Sequence, residues 1–93
     1  MDSELVFSDK FIDEFGYIQE LVIWHVPCSS RNPDGVRYRL AYIDLKRKPI
    51  VLYDNHHPKG HHKHIGDKEM SYNFVNVERL LEDFKRDIEE ARL

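Results

Sequence analysis

The sequence has a single cysteine, Cys28, so no intramolecular disulfide can form. A chain without disulfides fits a reducing compartment. Cys28 lies between Pro27 and Ser29 with no activating base nearby, which favours a buried or indifferent thiol over a nucleophile. Long apolar runs are also lacking, so no segment approaches membrane-spanning length. The opening MDSELVFSDK is acidic and lacks the apolar stretch of a signal peptide. These absences point to a cytoplasmic protein. Glycine and proline number four each, and no linker or internal repeat interrupts the chain. An excess of positive charge is missing too. The formal net charge of -3 does not mark a general nucleic-acid or membrane-surface binder.

What is present is a chain of 93 residues, read as one domain over positions 1–93. Five Tyr, five Phe and one Trp argue against disorder, because disordered chains are poor in aromatics. The charge is unevenly spread. Between Arg37 and His64 stand seven Lys and Arg residues and five of the six histidines, against only Asp44 and Asp54. A locally basic surface on an acidic protein is what meets a phosphate.

Glu4 to Phe7 reads as a short edge strand, followed by a turn around Asp13, Glu14 and Gly16. Tyr17 to Val26 is rich in β-branched and aromatic residues and reads as a strand. Asn32-Pro33-Asp34-Gly35 is a turn signal, since Pro fixes φ and Gly supplies a positive one. From Val36 to Leu45 the residues alternate, with Tyr38, Leu40 and Tyr42 on one face and Arg37 and Arg39 on the other. Ile50 to Tyr53 reads as a further strand, and Tyr72 to Phe74 as a brief extended piece. Short connections make an antiparallel meander the natural arrangement. Asp54 to Ser71 is polar and without period, and reads as a long loop; such loops tend to be functional. Asn76 is placed to cap a helix whose stripe is Val77, Leu80, Leu81, Phe84, Ile88 and Ala91, with Glu82 and Arg86 as an exposed pair. The expected fold is α+β: an antiparallel sheet of about four strands with a C-terminal amphipathic helix on one face. Trp24, Tyr38 and Tyr42 are read as packing residues, and His25 as a core or edge histidine with an ordinary partner.

The stretch Tyr53 to His64, YDNHHPKGHHKH, draws most attention. His62 and His64 are two apart, so in an extended chain they face the same side. Two such histidines can serve as base and acid at neutral pH. Lys59 and Arg39, with Arg37 and Asn55 nearby, are candidates to bind a phosphate and stabilise its developing charge. Asp54 is a candidate to orient a histidine, and Tyr53 to support the site. An RNA 2′-hydroxyl would supply the nucleophile, so this chemistry needs no cofactor. An alternative is a divalent metal held by His62, His64 and Asp54, although no HExxH or CxxC spacing is present. A solvated loop is the bland reading for His56, His57 and His61.

The order and spacing of VIWHVP, YRLAY at Tyr38–Tyr42, YDN at Tyr53–Asn55, KGHHKH at Lys59–His64, YNF at Tyr72–Phe74 and LLEDF at Leu80–Phe84 resemble the TumE-type toxins of prokaryotic toxin–antitoxin pairs. The loop departs from that family's pattern at His56–Pro58 and at His61, leaving Lys59, Gly60, His62 and His64 as the matching positions. The resemblance implies a cytoplasmic toxin neutralised by a cognate antitoxin that carries a DNA-binding domain. The His, Lys and Arg constellation adds a ribonuclease reading. Its alternatives are a non-catalytic module binding nucleic acid or protein, and a metal-binding protein. A short sheet also leaves strand edges through which two copies can pair as a homodimer.

Overall fold

The computed structural model describes residues 3–92; positions 1, 2 and 93 of the expected single-domain span lie outside the described residues. The chain is α+β, with six strands and one helix: β1 Glu4–Ile12, β2 Ile18–His25, β3 Val36–Ile43, β4 Pro49–Asp54, β5 His62–Ile65, β6 Lys68–Ser71 and α1 Val77–Ala91. The strands form one antiparallel meander in the order β1-β2-β3-β4-β5-β6. The helix packs on one face, against β4.

The sheet therefore has six strands rather than about four. The expected loop from Asp54 to Ser71 contains the β5–β6 hairpin. Its strands read HKHI and KEMS, which are too polar to show an apolar alternation. The hairpin turns on Gly66 and Asp67, and Gly66 takes the positive φ of 60° that such two-residue turns demand. Tyr72 to Phe74, expected to be extended, lies between β6 and the helix and joins no strand. β1 runs five residues beyond Phe7, to Ile12, because its polar centre Ser8–Lys10 pairs with β2 as well as its apolar ends do.

Alternation along the strands sorts the core. Leu21 and Ile23 of β2, Tyr38, Leu40 and Tyr42 of β3, and Val51 and Tyr53 of β4 are buried under the helix residues Leu80, Phe84 and Ile88. Trp24, expected to pack, points to the other face and is 36% exposed. His25 is exposed at the end of β2, outside the core. Cys28 is exposed. The Asn76 side chain accepts from the Arg79 amide at 2.8 Å, the expected cap. Arg86, however, pairs with Asp83 at 3.0 Å, one turn back on the inner side, rather than with Glu82.

Candidate functional site

Strand register decides which candidate residues meet. Arg39 pairs with Asp54, and Asp54 with His62, so the three form one row across β3, β4 and β5. Paired residues in an antiparallel sheet share a face, and Arg39 is exposed opposite the buried Tyr38 and Leu40. His64 follows two residues on, opposite Leu52, on the same face. Arg37 lies two residues from Arg39, and its Nη2 is 3.2 Å from His56 Nδ1. Arg37, Arg39, Asp54, His62 and His64 thus lie on the sheet face turned away from the helix.

The two histidine rings meet edge to face with centroids 5.4 Å apart. His62 Nδ1 donates to the Gly60 carbonyl at 2.8 Å. A carbonyl only accepts, so this bond fixes the proton on Nδ1 and leaves Nε2 with its lone pair in the neutral ring. His64 Nε2 lies 3.6 Å from Glu69 Oε1, so its protonated form is ion-paired. Lys59 Nζ donates to the same Glu69 oxygen at 2.8 Å. That bond, above all, holds the Glu69 carboxyl below its ordinary range. A recess of about 290 Å3 opens here, lined by Lys59, His61, His62, Glu69, Met70 and Ser71.

The rest of the expected set is dispersed. Asp54 does not hydrogen-bond a histidine ring; its carboxylate accepts from the His56 amide at 2.6 Å and shapes the loop. Gly60, not Asp54, orients His62. Tyr53 stands on the opposite face, fully buried, with its hydroxyl donating to Asp87 of the helix. Burial, followed by that bond, pushes its hydroxyl far up. Lys63, its cross-strand partner, reaches the same Asp87 oxygen at 2.9 Å. Asn55 is buried and spans the end of β3: it accepts from the Tyr38 amide at 3.0 Å and donates to the Val36 carbonyl at 2.8 Å. It is a strap between strands rather than a residue open to substrate. Asp54, His62 and His64 form no three-ligand cage. Among the described residues no group of three His, Cys, Asp or Glu side chains is arranged to hold a metal ion.

Two features escape a reading of the sequence. His61, taken there as part of a solvated loop, has both ring nitrogens engaged: Nε2 with Asp34 Oδ2 at 2.7 Å and Nδ1 with the Tyr38 hydroxyl at 2.9 Å. Its ring stacks on Phe74 with centroids 4.8 Å apart. His61 immediately precedes β5 and turns to the Tyr38 and Phe74 side, whereas His62 turns to the other. The second is the inward pair Asp83 and Asp87 on the helix, both buried. Asp83 accepts from Tyr72 at 2.6 Å and faces Arg79 and Arg86.

The geometry can be set beside known proteins. A family model described as Toxin TumE matches residues 2–92. The chain belongs to the TumE toxin family. Membership makes it the toxin of a toxin–antitoxin system, with a cognate antitoxin as its partner. No curated protein and no solved structure gives a significant match. In this TumE-family chain no helix of the described residues is long and apolar enough to cross a membrane.

Proposed function

We propose that this toxin acts in the cytoplasm as a ribonuclease, with the sheet face opposite the helix as its RNA-binding and cleavage surface. The observation that carries the reading is the pair His62 and His64, 5.4 Å apart, on the face that also bears Arg37 and Arg39. His62, whose Nε2 keeps its lone pair, is the base. It takes the proton from an RNA 2′-hydroxyl, and the 2′-oxygen attacks the adjacent phosphorus. His64, facing Glu69, is the acid in its protonated form. It gives its proton to the 5′-oxygen as the P–O5′ bond breaks, leaving a 2′,3′-cyclic phosphate and a 5′-hydroxyl. Arg39 and Lys59 stabilise the charge that builds on the phosphoryl oxygens. Lys59 does so by leaving Glu69, an exposed pair of small net strength.

The test is incubation of untagged protein with RNA in the presence of a chelator, with the product ends identified. Cyclic phosphate ends, lost in His62→Ala and His64→Ala, are the expected result. RNA left intact by folded protein, together with undiminished toxicity of His62→Ala in cells, overturns cleavage and leaves the face as a non-catalytic binding surface.

A further inference from the structure

The open face extends beyond the histidine pair. Trp24, the one tryptophan of the chain, sits on it, opposite Arg37 on β3 and Leu5 on β1. Among the described residues no helix covers this side, and Trp24 keeps 36% of its surface exposed. Trp24 is not among the residues packed with the core, and the third of its surface left exposed is open to a ligand on this face. Beside it, Arg37 and Arg39 are both exposed and point the same way, and His56 braces Arg37. Strand spacing places Trp24 roughly 16 Å from His62, three strands across and one two-residue step along. An aromatic ring flanked by guanidinium groups is how proteins hold unpaired bases: the ring stacks on the base and the cations follow the backbone.

We infer that Trp24 is a stacking platform for an unpaired base, with Arg37 and Arg39 on the adjoining phosphates, and that the substrate of this face is single-stranded RNA. The inference rests on the reading of the open face as an RNA site. It names the substrate class, because a paired base is stacked within its own helix and cannot lie flat on Trp24. The platform is a binding residue, distant from the bond broken at His62 and His64.

Since Trp24 is the one tryptophan, its emission reports the contact directly. The experiment uses the His62→Ala protein, so that RNA survives, and titrates it with a short single-stranded RNA and with the same RNA annealed to its complement. The single strand should quench Trp24 emission and the duplex should not. Trp24→Ala, followed by anisotropy of a labelled single strand, should weaken binding by roughly 5- to 100-fold, and Trp24→Phe by much less. Binding that depends on Arg39 but leaves Trp24 emission unchanged overturns the platform and spares the RNA site. Equal quenching by single strand and duplex overturns the substrate class. Absence of any RNA binding overturns the platform together with the site.

Discussion

Tyr53 and Asp54 are neighbours in the chain that serve opposite sides of the sheet. The Tyr53 hydroxyl donates to Asp87 beneath the helix, whereas Asp54 stands in a row with Arg39 and His62 on the open face. The consequence for the six-strand sheet is a division between a side packed under the helix and a side without one, on which Arg37 and Arg39 are exposed and His62 is buried.

Adjacent histidines should give opposite phenotypes. His62→Ala should lower RNA cleavage by about 10²- to 10⁴-fold, the usual worth of a general acid or base, with a melting temperature near that of the parent. His61→Ala removes the contacts to Asp34 and Tyr38, so it should lower the melting temperature while cleavage survives at low temperature. Cleavage rates and thermal melts of the two proteins check this. Equal loss of cleavage in both would place His61 in the chemistry.

Tyr53→Phe should leave cleavage within a few-fold of the parent. It deletes a hydroxyl that meets Asp87 and Lys63 but no group of the open face. The expected cost is about 1–3 kcal/mol of stability, the range for a buried group bonded to a charge. Denaturant unfolding measures it.

Asn55→Ala strips the end of β3 of two side-chain bonds and leaves the Tyr38 amide and Val36 carbonyl short of partners. A loss of about 2 kcal/mol or more is expected. Affinity for RNA, measured below the melting temperature, should change little. A large affinity loss in a well-folded variant would return Asn55 to the substrate side.

Acid should weaken the helix–sheet seam. Burial, the largest influence on Asp83, pushes its carboxyl up, but the bonds from Tyr72 and Arg79 and the charges of Arg86 and Arg79 outweigh it and hold it below the ordinary 3.8. A carboxyl lowered on folding stabilises the fold fully above its unfolded pKa, and that stability disappears as pH falls through the folded one. Melting temperature should therefore be flat from neutrality to about pH 5 and fall below the unfolded value of 3.8. In Asp83→Asn the neutral-pH stability should be lower and the acid fall shallower. Melts across that range decide it.

Much of this architecture is legible in the residues. The alternation of Tyr38, Leu40 and Tyr42 marks the core side of β3, and Asn76 with the stripe from Val77 to Ile88 marks the helix. The hairpin of β5 and β6 is not legible from hydropathy, because HKHI and KEMS carry too little apolar surface; only the Gly66–Asp67 turn signals it. The site was legible in part. The spacing of His62 and His64 places them together on one face, as it does Arg37 and Arg39. Tyr53 and Asn55 are close in sequence to the histidine pair, but alternation turns both to the buried side. Asp83 and Asp87 look like solvent-facing helix residues until Tyr72, Lys63 and the arginines are seen to gather around them.

The two-residue beat of β3, β4 and β5 also bears on how such a toxin can diversify. Positions 37, 39, 54, 62 and 64 do not pair across the sheet with 38, 40, 53 and 63, so changes in one set leave the cross-strand partners of the other in place. On the proposed site, point changes therefore explore new targets while the scaffold stays constant. A one-residue insertion or deletion within β5 has no such freedom: it would turn His62 and His64 inward and bring Lys63 to the outer surface, removing scaffold and site in a single event.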